Sequence, residues 1–338
     1  MARRNRLRDV QKRGANKTAR RWRVACTSRT MAPETMISTV VRDVDVCVCT
    51  FRRPSVARLL ASLATQDVPG AWRVRVIIAD NDDVPSGRET VLRAFAELGL
   101  DGVYLHAPAR NISVARNACL NAASASLIAF VDDDEIARSN WLACLVSELD
   151  RTRADVVFGK VNASYDKDAP SWLSRADLHS TPPPVRRGKI DGGYTCNVLM
   201  RRTAVGAFRF DPALGCSGGE DTTFFAMLAR SGVAMAYTPA AVVVEPVGPG
   251  RSNLRWLTTR AYRAGQTYGL LRLRDGEASA VVGAASLAKI AWCLAIAGLT
   301  IWSPVRWRRA AVRAHLHGGV LGAALGRAPI ELYGAARG

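Results

Sequence analysis

From Val44 onward the chain alternates short, continuously apolar runs with amphipathic segments of helical period. That rhythm restricts it to an α/β sheet covered on both faces. VDVCVCT (44–50), VRVIIAD (74–80), GVYLHA (102–107) and LIAFVDDD (127–134) read as strands. RPSVARLLASLATQ (53–66), SGRETVLRAFAELG (86–99) and ISVARNACLNAASA (112–125) read as the helices between them, the first with Pro54 near its start, the second closed by Gly99. Strands joined by helical crossovers run parallel, so a mostly parallel sheet is expected. In such sheets the ligand sits beyond the carboxyl ends of the strands, where Asp80 and Asp132 fall.

After residue 150 the pattern is mixed. DVVFGKV (155–161) and the glycine-led GGYTCNVLMRR (192–202) read as strands, and SWLSRADLHSTPPPVRRGK (171–189) as a long loop. LGCSGGEDTTFFAMLARSG (214–232) is a glycine-rich loop running into a helix. This half is expected to shape an acceptor site.

The net charge of +18 suggests nucleic acid until it is divided along the chain. Residues 1–40 carry 11 Lys/Arg against 2 acids and residues 251–338 carry 13 against 3, whereas residues 41–250 carry 23 against 24. A neutral centre with basic ends argues against a nucleic-acid groove through the fold and suits an anionic membrane surface. Residues 1–40 have no apolar h-region and are expected to be a disordered extension, with Met31 and Met36 as alternative starts. Residues 41–270 then form the catalytic domain and 271–338 a helical, membrane-associating region.

Within that region, residues 278–304 hold one charge, Lys289, and would span a bilayer if helical. A lysine at mid-span costs roughly 2.5–3.5 kcal/mol, and one crossing would put RWRRAAVR (306–313) on the wrong side. A helix lying in or dipping into the interface is expected, with Trp292, Trp302 and Trp307 near the headgroups; a buried helix and a true span are the alternatives. Arg255, Arg260 and Arg263 read as a solvated or lipid-facing surface. Cys26, Cys47, Cys49, Cys119, Cys144, Cys196, Cys216 and Cys293 are scattered, mostly in apolar runs, and read as packing residues in a reducing cytoplasm. His106, His179, His315 and His317 have no metal-ligand spacing.

The chemistry concentrates in two acidic clusters. In an extended strand end, Asp132 and Asp134 point the same way while Asp133 faces elsewhere. Two convergent carboxylates suit Mg2+ or Mn2+; an acidic start to the helix SNWLACLVSEL (139–149) is the alternative. In GGED (218–221), Asp221 and Glu220 read either as a helix cap or as a general base with its partner. Gly218 and Gly219 would let backbone approach a bound ligand closely. A dinucleotide-dependent oxidoreductase is a third and weaker reading, because TFRRPS, after the first strand, has no glycine and so lacks the G-x-G-x-x-G turn.

VCVCTFRRP, IIADND, ARNISVARNACLNAA, FVDDDE, GGEDTTFF and EPVGPGR occur in that order over residues 44–270. The set resembles the inverting family 2 glycosyltransferases, and more narrowly the bacterial succinoglycan-type exopolysaccharide enzymes. The resemblance implies a GT-A fold, a Rossmann-like nucleotide-diphospho-sugar transferase, with a UDP-sugar donor and metal-assisted transfer with inversion. It assigns Asp80 to the uracil or ribose, Asp132 to the ribose and Asp134 to a metal on the diphosphate. Asp132 and Glu245 are further candidate metal ligands, Glu245 standing near the place where a histidine is common. Thr50, Arg52, Arg53, Arg116, Asn117 and Asp133 fall on the donor side, and Arg251 in a lid over the diphosphate. Asp221 becomes the base and Glu220 its orienting partner. The implied reaction moves a hexose, glucose from UDP-glucose, onto a lipid-linked glycan at the cytoplasmic face of the bacterial inner membrane. The competing reading is a basic membrane-surface or nucleic-acid binder with an inert α/β core.

Overall fold

The computed structural model describes residues 41–180, 182–186 and 188–330. The expectations for residues 1–40, Cys26 and the alternative starts lie outside them.

The first half folds as the alternation dictates. Strand β1 (Arg42–Thr50), helix α1 (Val56–Ala64), β2 (Trp72–Asp80), α2 (Arg88–Leu98), β3 (Gly102–His106), α3 (Ile112–Ala122) and β4 (Leu127–Val131) give four parallel strands in the order β3-β2-β1-β4. Period-two burial divides the side chains between two apolar layers. Val44, Val46, Val48, Ile78 and Leu127 pack with Leu59 and Leu60 of α1, while Cys47, Ile77, Ile128 and Phe130 face Ala115 and Cys119 of α3. Each large aliphatic so buried contributes about 1.5–3 kcal/mol. The described cysteines are all free, and Cys47, Cys119 and Cys293 are buried as packing residues.

The second half departs from a parallel plan. β5 (Ile136–Ala137), α4 (Trp141–Thr152) and β6 (Val156–Tyr165) follow β4. The expected loop 171–189 contains a short helix α5 (Ser171–Ala176) and the start of a hairpin, β7 (Val185–Arg186) and β8 (Lys189–Ile190). β9 (Asn197–Arg201) enters between β4 and β6, antiparallel to both. Asn197, at its entry, explains the seam: its amide donates to the carbonyls of Lys160 and Ala241 and its oxygen accepts from Trp141 Nε1 at 2.8 Å. After α6 (Arg202–Val205) and a 3-10 turn (Pro212–Leu214) come α7 (Glu220–Arg230) and β10 (Met235–Val247), the latter parallel to β6 and carrying antiparallel β5 on its outer edge. Phe224 and Phe225 of α7 complete the second core layer.

α8 (Leu254–Arg274), α9 (Ser279–Leu299) and α10 (Arg306–Ala324) close the chain. α8 runs across position 270, where the composition suggested a boundary. α8 and α10 pack at backbone distance. A Cβ on Gly319 would lie 1.8 Å from the Tyr262 carbonyl oxygen, and one on Gly265 1.9 Å from that of Leu316. Only glycine fits at these crossings. α9 packs on α10 along one side and leaves Val281, Leu287, Trp292 and Leu294 exposed. It is the one helix among the described residues long and apolar enough to cross a membrane.

Candidate active site

β4 ends at Val131, so the three aspartates form a turn, closed by the Glu135 amide donating to the Asp132 carbonyl at 3.2 Å. This corrects the extended-strand expectation. Asp133 does not face away: Thr50 Oγ1 donates to it at 2.8 Å, and Arg53 Nη1 bridges Asp133 at 2.9 Å and Asp134 at 2.8 Å. From the far side Arg251 reaches Asp134 at 3.3 Å and Glu245 at 2.7 Å. Asp134 therefore lies between two guanidiniums that come from the ends of β1 and β10. Beside it opens a cavity of about 370 Å3, lined by Arg53, Arg58, Asp134, Asp166, Gly248 and Arg251.

Negative charge is in excess behind this rim. Burial, with Asp134, Asp133 and Glu245 nearby, pushes the Asp132 carboxyl up to about 7 even though Arg116 opposes it. Burial likewise lifts Asp133 to about 6 and drives Glu135 well above the usual carboxylate range. Crowded buried carboxylates of this kind are what a hard divalent ion with oxygen ligands relieves. The donor set thus fits Mg2+ or Mn2+. Asp132, Asp134 and Glu245 do not already form a cage, however: among the described residues no three acidic, histidine or cysteine side chains converge at ligating distance.

On the β2 side, Asp80 is fully buried. Its carboxylate accepts from Tyr104 Oη at 2.7 Å and from the Gly87 and Asp82 amides at 2.8 and 3.1 Å, so it shapes the β2–α2 loop. The same loop buries Asp82 and leaves Asp83 half exposed. Arg52 grips Asp82 with two contacts of 2.9 Å and holds that carboxyl down near about 2. Arg110, at a left-handed φ of 45°, pairs with the half-exposed Asp83.

The second acidic cluster is braced from beneath. Arg116, expected beside the donor, is buried and ion-paired with Glu220. The Glu220 and Asp221 carboxylates outweigh the cost of burial and raise the Arg116 pKa. Asn117 exchanges hydrogen bonds with the Phe210 main chain at 2.8 and 2.9 Å and acts as a strut. Asp221 is partly exposed at the first turn of α7, and its field, after burial, raises the Tyr194 phenol. Gly218 and Gly219 are left-handed, φ 83° and 86°. The close approach at Gly219 is to α8, where a Cβ would lie 2.4 Å from Thr267 Oγ1.

Three residues emerge that the sequence left bland or misplaced. Arg263 is buried, not lipid-facing; the Gly265 and Gly269 spacing on the same helix was the available signal that α8 is closely packed. His179 is buried, stacked on Trp256 and hydrogen-bonded with Tyr165 at 2.9 Å, which no local pattern announces. Asn111 caps α3 through the Val114 amide and donates to the Pro212 carbonyl; an asparagine ahead of an apolar helix was a legible cap.

A mixed sheet whose carboxyl ends gather an Asp-rich turn, opposed arginines and a second acidic loop has the form of a GT-A glycosyltransferase. The profile described as "Glycosyl transferase family 2" matches residues 45–208. The chain is 44% identical over 300 residues, 86% of its length and 96% of the relative's, to the succinoglycan biosynthesis protein ExoM of Rhizobium meliloti (strain 1021). It is 26% identical over 241 residues to an N-acetylglucosaminyltransferase of the same organism, covering 63% of this chain and 54% of that protein. Among solved structures, the mannosyltransferase PcManGT from Pyrobaculum calidifontis, in complex with GDP-Man and Mn2+, superposes with a TM-score of 0.59 at 19% identity, over 86% of this chain and 89% of that one; it is similar in fold. This chain belongs to glycosyl transferase family 2. It is a glycosyltransferase, and the inert-core reading is not favoured.

Proposed function

We propose that the protein transfers a hexose, glucose from UDP-glucose, with inversion onto a lipid-linked glycan in exopolysaccharide biosynthesis, at the cytoplasmic face of the inner membrane. The observation that carries the site assignment is the position of Asp134 between Arg53 and Arg251 at the mouth of the 370 Å3 cavity. Asp134 and Asp132, with Glu245 behind them, would hold a divalent ion, which when bound neutralises charge developing on the departing diphosphate. Arg53 and Arg251 are placed to exchange their carboxylate partner for phosphate oxygens, an interaction that strengthens as the leaving group charges. Thr50 holds Asp133 behind this rim, and Arg52 holds Asp82 of the β2–α2 loop. Asp221 takes the proton of the acceptor hydroxyl, and Glu220, fixed by Arg116, orients it.

The relative at 44% identity carries the name of a succinoglycan biosynthesis protein, which supports a role in that kind of polysaccharide. The exposed apolar side of α9 and the turn after it, with Trp292 and Trp302 at 68% and 74% exposure, supports an interfacial seat on anionic lipid. Incubating the full chain with Mn2+ and UDP-glucose, with lipid extract as acceptor, should release UDP and label the lipid fraction. Release abolished by Asp221→Asn while UDP still binds supports the base; full release from that variant overturns it. Release from another nucleotide-sugar alone overturns the donor.

A further inference from the structure

We propose that Arg263, on α8, is a positioning residue that fixes the loop leading into α7 and so presents Asp221, in the first turn of that helix, to the acceptor. This rests on the reading of Asp221 as the base. The loop Ser217–Gly219 would be slack by itself, because two consecutive glycines in left-handed conformations give the backbone in front of α7 its widest freedom. Two buried guanidiniums remove that freedom. Arg116 holds the Glu220 carboxylate from the α3 side. Arg263, 4% exposed, approaches from the opposite side, donating through Nε to the Ser217 carbonyl and through Nη1 to the Thr267 hydroxyl.

The fit is close enough to be directional. The space a side chain at Gly219 would need is taken by Thr267 and by Arg263 Nη2, the latter 3.1 Å from where its Cβ would stand. Burying a guanidinium is costly, and an apolar side chain would fill the same face of α8 with less desolvation. What the arginine adds is a charge-assisted hydrogen bond to one main-chain carbonyl, four residues before the base. The helix that carries it is itself held rigidly, since Gly265 and Gly269 seat α8 against α10. The anchor of the base therefore lies outside the segment matched by the family profile, which ends at residue 208. A displacement of about 1 Å at a reacting group lowers a rate by up to ~100-fold, so the carbonyl tether is large enough in effect to be measured.

The test compares Arg263→Gln and Arg263→Lys with the wild-type full chain in two assays. The first is UDP release from UDP-glucose with Mn2+ and lipid extract. Arg263→Gln is expected to lower kcat about 10- to 100-fold with the donor KM and the affinity for UDP–Mn2+ within twofold of wild type, and Arg263→Lys, which keeps a charged donor, to recover at least a third of the loss on a logarithmic scale. The second needs no turnover: amide hydrogen exchange of residues 217–223 should quicken about tenfold in Arg263→Gln, while the Asp132–Glu135 turn exchanges as in wild type. Wild-type kcat in Arg263→Gln, or unchanged exchange at 217–223, overturns the proposal. A parallel fall of kcat and UDP affinity in both variants also overturns it, because that marks general loosening. If Arg263→Gln does not fold, Arg263→Lys decides alone: a kcat reduced severalfold at constant donor KM supports positioning, and wild-type kcat with wild-type exchange refutes it. Asp221→Asn separates the two claims. Full activity in that variant removes the base assignment whatever Arg263 does, whereas an inactive Asp221→Asn beside a fully active Arg263→Gln removes the positioning role alone.

Discussion

Arg116 of α3 and Glu220 of α7 form a buried ion pair across 104 residues of sequence, joining the half of the sheet that carries the Asp-rich turn to the first turn of α7, which carries Asp221. Removing one partner leaves the other charged and desolvated, which costs about 3–5 kcal/mol. Arg116→Met should therefore be strongly destabilised in urea titrations at pH 7.5. Its sign with pH is fixed: with the arginine gone, Glu220 in the folded chain binds its proton more readily than in the unfolded chain. Stability should accordingly rise as pH falls towards the ordinary glutamate value of 4.5. A deficit that is the same at pH 5 and pH 7.5 would show that the pair is not what the variant lost.

Asp134 should be indispensable for metal-linked donor binding. In wild type, UDP with Mn2+ at about 100 times its Kd stabilises the fold by about 2.7 kcal/mol, read as a rise in Tm. Asp134→Asn should lose most of that rise while its Tm without ligand changes little, because Arg53 keeps Asp133 and Arg251 keeps Glu245. An undiminished rise places the metal elsewhere.

His179 should make the protein acid-sensitive. Burial, then the positive field of Arg260, holds it neutral and lowers it to about 4 in the folded chain, against an ordinary value of 6.5. Arg251 adds to that field, and Asp177 opposes it. Between those values the unfolded chain binds the additional proton, so the contribution is complete above pH 6.5 and is lost as pH falls towards 4, by at most about 3 kcal/mol. Unfolding free energies measured from pH 7.5 to 4.5 should fall less steeply in His179→Phe, which keeps the stack on Trp256. Parallel profiles for the two proteins would count against it.

Gly319→Val should push α10 away from α8, since its first side-chain carbon would stand 1.8 Å from a main-chain oxygen that cannot rotate aside. Overpacking of this kind costs about 1–3 kcal/mol or more. Calorimetry should show a lower Tm, or a separate low-temperature transition for the C-terminal helices. An unchanged thermogram would mean that the crossing is loose.

The first four strands and their crossovers were legible because a strand buried on both faces has to be apolar where it is covered, as VIIA (76–79) and LIAFV (127–131) are. The direction of β9 was not, since NVLMR reads the same whether its neighbours run with it or against it. Asp134 and Asp221 could be singled out by chemistry and motif order, and the fold brings both to the carboxyl ends. The partners were hidden. Arg263 resembles its exposed neighbour Arg255 in every local respect, and only the tertiary packing of α8 buries one and not the other. Asp133 departs from a strand's alternation because β4 stops at Val131, and in the turn beyond it that alternation no longer governs which way side chains point.

The reversed course of β9 has a consequence for how this catalyst could diversify. The chain leaves the sheet at the end of β6 and re-enters it at Asn197, beside Val131 of β4, so both stumps of the intervening segment emerge on the same side. Within that segment, residues 166–180 are tied into the fold: Trp172, Leu173 and Ala176 share a small core with Leu257 of α8, and His179 stacks on Trp256. A new acceptor on an unchanged engine would therefore be sought by rewriting its exposed positions, such as Lys167, Asp168 and Ser174, while the strand register, the aspartate turn and the two arginine anchors stay where they are.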